Sequence, residues 1–497
     1  MNAVPKGWIK TTLESCVDIR NFEREPINSS EREDRINGKN PDELFGYYGA
    51  TGKVGLIDDY RSEGERVLLG EDAAPFLDQH KDKAYLVRGK FWVNNHAHVL
   101  YGASGMVNNA FVCHQLNTTD YRPFVTGSTR LKLTSAAMKQ IPLLLAPAAE
   151  QTRIVEKLEE LLSDLDAGVA ELKAAQRKLG QYRQSLLKAA VEGALTAQWR
   201  AQHTPTETGA QLLERILTER RARWEARQLA KFEAQGKAPP KDWRKKYPEP
   251  VRPDTEDLPE IPAGWVWSSI GQCFQVAVGA TPSRKDPSYW GGPIPWVSSG
   301  EVRFSRITAT KETITEQGLS NSSTQINPIG SVMLGMIGEG KTRGQVAILD
   351  VPAANNQNCA AIWASETDIP PEYVYYWLWS QYEETRRGSS GNNQPALNKS
   401  IVERISLPIA PLEELKQIVR QVDCELNAAA EQERAIEYAL KQSAAQRKNI
   451  LKAAFSGQLV PQDPDDEPAA VLLERIRAER SAVAPAARRA RPTKATA

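Results

Sequence analysis

Cysteine is scarce in this 497-residue chain: Cys16, Cys113, Cys273, Cys359 and Cys424, with no CxxC spacing. Such usage argues against a disulfide framework and against a structural zinc site, and fits a reducing cytoplasm. No charge of either sign is in excess, the formal net charge being +1. Any nucleic-acid surface must therefore be local. No apolar run has the length of a membrane span, and the opening MNAVPKGWIKTT lacks the apolar stretch of a secretory signal. A soluble, cytoplasmic protein with no membrane partner is expected, with material for roughly two to four domains. Catalytic chemistry is thin too. There is no defensible Ser/His/Asp order, no pair of carboxylates in a Gly-framed loop, and neither the Asn/Asp-Pro-Pro-aromatic tetrad nor the Gly-rich cofactor loop of an amino-methyltransferase. A non-catalytic chain is expected.

What the chain does contain is a duplication. The stretch Ile141–Thr196 returns without a gap as Ile405–Val460, every pair separated by 264, with sixteen of fifty-six positions identical. Pro147 matches Pro411, Ile154-Val155 matches Ile418-Val419, and Leu187-Lys188-Ala189-Ala190 matches Leu451-Lys452-Ala453-Ala454. Apolar residues at Ile154, Leu158, Leu161, Leu165, Val169, Leu172, Ala175, Leu179, Tyr182, Leu186 and Ala190 recur by threes and fours, one stripe on a helix face. Pro147 suits the start, where its missing N–H costs nothing, and Gly193 the stop. About 45 residues at ~1.5 Å each give a helix of roughly 65–70 Å. A helix of that length needs a partner for its stripe. The second copy offers Ile418, Val422, Leu426, Ala429, Ile436, Leu440, Ile450 and Ala454, so the pair is expected to form an antiparallel coiled coil.

The repeat extends outward. Val4-Pro5-Lys6-Gly7-Trp8 is echoed by Ile261-Pro262-Ala263-Gly264-Trp265, Val67–Gly70 by Val332–Gly335, and Asn94-Asn95-His96-Ala97-His98 by Asn355-Asn356-Gln357-Asn358-Cys359. Residues 1–147 and 261–411 thus read as two variable domains on one skeleton. Short strands at Arg66–Leu69, Ala84–Val87, Phe91–Val93, Val332–Met336 and Val346–Asp350, with short helices near Asn108–Leu116 and Glu372–Gln381, predict a mixed α+β fold. The remaining segments are a first spacer helix in 148–200, a helical and Pro/Lys-rich linker in 201–260, a second spacer helix in 412–460, and a C-terminal segment 461–497. That last segment begins with a helix repeating Leu212-Leu213-Glu214-Arg215-Ile216 as Leu472-Leu473-Glu474-Arg475-Ile476 and ends in a basic tail, from Ser481, expected to be disordered.

One motif points elsewhere. Gly335–Thr342 spells G-x-x-x-x-G-K-T, the phosphate-cradling loop, and raises the alternative of a coiled-coil nucleotide hydrolase. That chemistry needs a helix after the loop, whose N-terminus helps to hold the phosphates. Here a β-type run, Val346–Val351, follows, and the counterpart Gly70-Glu71-Asp72 has no Gly-Lys-Thr. A hairpin tip presenting Lys341 and Arg343 is the expectation. His96 and His98 share a strand face but have no third ligand at a usual spacing, so a hydrogen-bonded pair is expected and no metal site.

In order, a Pro-x-Gly-Trp opening, a variable domain, and a Pro-led helix closing in Lys-Ala-Ala-x-x-Gly-x-Leu occur twice, and a Leu-Leu-Glu-Arg-Ile helix follows. Tyr289-Trp290-Gly291-Gly292 and Pro295-Trp296-Val297-Ser298 in the second domain, and Tyr47–Gly55 in the first, belong to the same pattern. Over nearly its whole length the chain resembles the DNA-specificity subunit of a Type I restriction–modification enzyme. The resemblance implies two target-recognition domains, each reading half of a bipartite, asymmetric site in double-stranded DNA, on a coiled-coil spacer that docks two modification (methyltransferase) subunits. Restriction subunits complete the complex. No cofactor is implied in this chain; S-adenosylmethionine belongs to the modification subunits, and ATP and Mg²⁺ to the restriction subunits.

Base readout and phosphate contacts draw on Arg, Lys, Asn, Gln and exposed hydroxyls. On that basis the DNA-binding candidates are Thr51, Lys53, Asn95, His96, Ser128 and Arg130 in the first domain. In the second they are Arg284, Lys285, Ser298, Ser299, Lys341, Arg343, Asn356, Gln357, Asn392, Asn393, Gln394 and Lys399. Partner docking is assigned to Arg153, Glu156 and Lys157.

Overall fold

Periodicity and termini make the two long helices. In the computed structural model, which describes residues 4–78, 81–256, 258–338, 341–387 and 397–483, they run Ala148–Val191 and Leu412–Ala454. Each starts behind its proline, whose carbonyl accepts from Gln151 N at 2.9 Å in the first copy, while Pro411 O accepts from Glu414 N at 2.9 Å in the second. Each stops at a glycine in the left-handed region, Gly193 (φ 75°) and Gly457 (φ 69°). Packing dictates glycine there as much as torsion does. A Cβ on Gly193 would stand 2.6 Å from Pro262 Cγ, and one on Gly457 2.7 Å from Pro5 Cβ. The closing glycine of each helix therefore seats the Pro-x-Gly-Trp phrase of a variable domain.

The chain divides into two compact units, Met1–Ala174 with Ile436–Ala497, and Ala175–Ala435. In the first unit a four-stranded antiparallel sheet has the order Val17–Ile19, Ala97–Gly102, Arg66–Gly70, Ala84–Val87. A second sheet has the order Gly52–Ile57, Phe45–Gly49, Lys90–Val93, Ser62–Glu63, with Phe45–Gly49 parallel to Lys90–Val93. A helix at Asn109–Thr118, capped by the Asn108 side chain, packs on the first sheet. Trp8, Phe111, Ile154, Leu158, Leu162 and Ala454 form one apolar cluster joining the domain to the start of the first long helix and the end of the second. The helix Ala469–Val483 buries Leu472, Leu473 and Ile476 in the domain's main core, and Ala469 N donates to Gly7 O at 2.8 Å.

The second unit repeats this plan. Its larger sheet has the order Val276–Val278, Cys359–Ile362, Val332–Gly335, Val346–Leu349, Ser305–Ile307. Its smaller sheet has the order Glu312–Ile314, Trp290–Val297, Ala354–Asn355, again with one parallel pair. Leu187, Ala190 and Val191 share a core with Leu415, Ile418 and Val422, so the end of the first long helix lies with the start of the second, as an antiparallel pair must. The helix Gly209–Ala234 takes the place of the C-terminal one: Leu212, Leu213 and Ile216 are buried, and Gly209 N donates to Gly264 O at 2.8 Å. Mixed α+β, twice over, is the architecture.

Three expectations need correction. The long stripe is buried at its ends only: Ile154, Leu158, Leu186 and Ala190 are buried, Leu165, Val169, Leu172 and Leu179 are half-exposed, and Ala175 and Tyr182 are exposed. Leu162, not Leu161, completes the buried set. A single helix neighbour covers less of a helix surface than a globular domain does. The Pro/Lys-rich run in 201–260 is also more than a linker. Trp243 and Tyr247 are each 8% exposed, Trp243 stacks on Trp224 at 5.8 Å, and Tyr247 Oη accepts from Arg220 at 3.0 Å. Reading that run by charge alone passes over the aromatic area it buries. Ser481, expected to begin the tail, still lies in the helix, which reaches Val483; the rest of the tail lies outside the described residues. Among the described residues no helix is long and apolar enough to cross a membrane.

Glycines inside and at the end of the first long helix should respond oppositely. Gly180 has nothing within 4 Å of an added Cβ, so Gly180→Ala is expected to raise stability by up to ~1 kcal/mol. Gly193→Ala must accept a left-handed Cβ, itself roughly 1–2 kcal/mol, in addition to the clash with Pro262. Urea midpoints at constant m-value measure both.

Candidate nucleic-acid interface

In the first domain three loops converge where the strand Arg66–Gly70 runs out. Gly70 pairs with Ala97, which brings the turn Asn94–His96 beside Glu71; Glu71 N donates to His96 O at 2.8 Å. Leu133 N donates to Glu71 O at 2.6 Å and Asp72 bridges to Lys132, so the ribbon Val125–Thr126/Lys132–Leu133 aligns on the same two acids. The hairpin tip between Phe45–Gly49 and Gly52–Ile57 is held nearby, since Tyr85 Oη donates to Gly49 O and Asn94 N donates to Tyr48 O at 3.0 Å. Thr51, Lys53, Asn95, Ser128 and Arg130 are exposed on these loops, and His96 is half-exposed. The arrangement brings Asn95, His96, Ser128 and Arg130 to one end of the sheet, with Thr51 and Lys53 on the adjoining hairpin.

Sequence reasoning missed what holds them. Glu71 receives Arg24 at 2.5 Å and Lys132 at 3.3 Å, with His98 Nδ1 3.6 Å away. Asp72 receives His96 Nδ1 at 2.6 Å and Arg130 at 3.1 Å. In the sequence Glu71 and Asp72 stand out only as what replaces Gly-Lys-Thr in the first copy; two carboxylates ahead of a Lys/Arg-rich stretch are the available signal. His98 is fully buried, its ring meeting Asn21 at 3.2 Å and Leu133 O at 3.0 Å. The histidine pair is thus tied up in hydrogen bonds, and among the described residues no His/Cys/Asp/Glu group could hold a metal.

In the second domain the Asn355–Asn358 turn lies beside the end of Val332–Gly335, where Gly335 pairs with Cys359. A Cβ on Gly279 would lie 1.8 Å from Asn355 O, so the segment leaving Val276–Val278 crosses directly over the Asn355–Asn358 turn. Gln357 is exposed and accepts from Thr281 Oγ1 at 2.7 Å. Asn356 is 7% exposed, with its Oδ1 accepting from Asn358 N at 3.1 Å, so its side chain builds the turn. Ser298 is likewise engaged, its hydroxyl donating to Glu301 at 2.8 Å, while Ser299 is half-exposed beside it. Arg284 sits 3.8 Å over the Trp290 ring and forks onto Glu312, so both its terminal nitrogens are taken. Lys285 is exposed next to it. Lys399 opens a short helix, 3.7 Å from Glu403. Asn392, Asn393 and Gln394 lie outside the described residues.

The phosphate-loop lookalike has the hairpin form expected. Residues 339–340 lie outside the described ones; at the two ends of the loop Gly335 N donates to Gln345 O and Gly344 N to Gly335 O, both at 2.9 Å, and among the described residues the next element is the strand Val346–Leu349, not a helix. Tyr382 Oη donates to Lys341 O at 2.8 Å. Lys341 is exposed and Arg343 half-exposed. On the first long helix, Arg153 is paired with Asp466 at 2.5 Å and Lys157 with Glu160 at 2.8 Å, while Glu156 is exposed.

The match to known proteins follows this geometry. Residues 5–174 and 262–437 each fit the Type I restriction modification DNA specificity domain. Over 371 residues the chain is 25% identical to the Escherichia coli Type I restriction enzyme EcoDI specificity subunit, covering 72% of each protein. A putative type I restriction enzyme specificity subunit of Haemophilus influenzae is 38% identical over 149 residues, which span 30% of this chain and 36% of that one. A solved chain from work on complex assembly and conformational transition of the type I R-M system shares the fold, with a TM-score of 0.58 at 15% identity over 92% of this chain and all of that one. The chain belongs to the Type I restriction modification DNA specificity domain family and carries that domain twice. It is a Type I specificity subunit, and nothing in the fold or its relatives supports a nucleotide hydrolase.

Burial also ties the stability of the first domain to pH. It holds the imidazoles of His98 and His114 below their ordinary value of 6.5, against the opposing pull of Leu133 O and Glu71 on His98 and of Glu159 and Asp82 on His114. Both are bases with lowered values, so between those values and 6.5 the unfolded chain binds more protons. Their neutral form contributes full stability above 6.5, which is lost as pH falls. The denaturant midpoint of the first unit should therefore be lower at about pH 5.5 than at about pH 7.5, and His98→Gln should flatten the slope. An equal midpoint at both would contradict the burial argument.

Proposed function

We propose that each specificity domain reads one half of a bipartite, asymmetric DNA site within a Type I methyltransferase, through the loops gathered at the end of strand Arg66–Gly70 in one domain and Val332–Gly335 in the other. The observation that carries this reading is the repeated convergence. Both domains bring exposed polar residues to the end of a matching strand, Arg66–Gly70 in one and Val332–Gly335 in the other, and the turn that pairs beside that strand end carries Asn95 in the first and Gln357 in the second. One scaffold carrying two exposed polar sets suits two different base sequences. Asymmetry of the site then follows from asymmetry of the side chains.

The long helices serve as the spacer. Readers on one face of a duplex work best about one helical turn apart, ~34 Å, and two continuous helices of 44 and 43 residues resist bending as a flexible linker cannot. Their half-exposed central stripes and the exposed Glu156 are offered to two modification subunits, which would bring S-adenosylmethionine; restriction subunits would bring ATP and Mg²⁺. This chain supplies recognition, with no catalytic step of its own.

Replacing residues 1–147 by the corresponding domain of another family member is expected to change one half of the methylated sequence and leave the other intact, read by single-molecule sequencing of modified bases. An unchanged pattern sinks the proposal. Arg343→Ala is expected to weaken DNA binding by the assembled methyltransferase almost uniformly across sequences and to reduce the salt slope by about one if it contacts a phosphate. Methyl transfer at saturating DNA should be untouched.

A further inference from the structure

We propose that Asp72 is a positioning residue for base readout, fixing Arg130 and His96 as one unit that reads a guanine in the half-site of the first domain. The inference rests on the DNA-reading role proposed above and goes further, to one carboxylate and one base.

Asp72 is the only side chain that touches both residues among the described ones. Its Oδ1 takes Arg130 Nη2 at 3.1 Å and His96 Nδ1 at 2.6 Å. Its side chain is 19% exposed, against 58% for Arg130 and 40% for His96, so the acid lies behind and the two donors in front. Arg130 spends one terminal nitrogen on Asp72. Its Nε and Nη1 have no partner among the described residues, nor has His96 Nε2. Nη2 has a second hydrogen besides the one given to Asp72, and with the N–H beside it on the open edge of the fork it forms the paired donors that guanine O6 and N7 accept side by side in the major groove.

A phosphate contact would not favour this arrangement. Phosphate binding is driven by positive potential and counterion release, and a carboxylate directly behind the arginine lowers that potential. The acid improves recognition only where direction matters more than charge, which is the case for a base edge. His96, on the same oxygen but from a different loop, gives Asp72 a second anchor outside the ribbon. The second domain has no counterpart, because Met336 and Ile337 follow Gly335 where Glu71 and Asp72 follow Gly70. The device therefore belongs to one half-site only.

The test uses the assembled methyltransferase with Asp72→Asn, Asp72→Glu and Arg130→Lys. Duplexes carrying each base at each position of the first half-site are titrated, and methylated positions are sequenced. At one guanine of that half-site, or of its complementary strand, Asp72→Asn and Arg130→Lys are each expected to lose roughly 5- to 150-fold of discrimination. Asp72→Glu should recover part of it. Non-specific affinity of Asp72→Asn should be unchanged or tighter, since a negative charge has gone, and the second half-site should be read as before. Full discrimination retained by Asp72→Asn overturns the proposal, and so does equal relaxation of both half-sites, which would mark general damage. If the domain exchange rewrites one half-site while Asp72→Asn changes nothing, this inference fails and the broader reading stands.

Discussion

A buried hydrogen bond from tryptophan to glutamate fastens each variable domain to its helix, and much of the structure depends on it. Trp8 Nε1 donates to Glu150 Oε2 at 2.9 Å, and Trp265 Nε1 to Glu414 Oε2 at 3.0 Å. Both carboxylates are about 1% exposed. A carboxylate at that depth must be hydrogen-bonded or lose its charge, so each helix start fixes where its tryptophan lies. The tryptophan in turn fixes the Pro-x-Gly turn, and that turn receives the amide of the Leu-Leu-Glu-Arg-Ile helix. The copies differ in how well the acid is supplied. Glu414 also accepts from Thr196 at 2.7 Å and Arg200 at 2.6 Å. Glu150 has fewer partners, and burial holds its carboxyl above the ordinary range despite the help of Trp8 and the nearby Arg153.

Much of this was legible in the sequence because duplication supplies its own control. The 264-residue offset located both long helices, their proline starts and their glycine stops. Strand ends at Gly70 and Gly335, and the helix at Asn109–Thr118, fell within a residue or two of the pattern. The same comparison exposed the phosphate-loop match as belonging to one copy. Local patterns of this kind are legible because each residue's partner lies a few positions away in the chain.

The rest was not legible, for physical reasons that can be named. Asp72 meets Arg130 across fifty-eight residues and His96 across twenty-four, and no local period reports such pairs. Asn356 and Gln357 are neighbours of similar chemistry, yet one builds a turn and the other faces water. Strand register decides that, since Gly335 pairs with Cys359. Arg284 looked like a free reader until Glu312 and Trp290 claimed it. The half-covered middle of the long helices was invisible as well, because a stripe records which face is apolar and not how much of it a neighbour covers.

The division of the chain has a consequence for its synthesis. The second unit is one uninterrupted stretch, Ala175–Ala435, whereas the first combines the N-terminal third with everything after Ile436. A ribosome therefore completes the second unit while the first still lacks Ala454 against Trp8 and Leu472, Leu473 and Ile476 in its core. Domains generally fold as they emerge, N-terminal first; here the order is reversed by topology. The N-terminal strands must wait, with part of their apolar surface open to water, until the last helix leaves the exit tunnel. A chain cut short before Ala469 would carry every loop of the first reading surface and still lack the segment that closes the core beneath it.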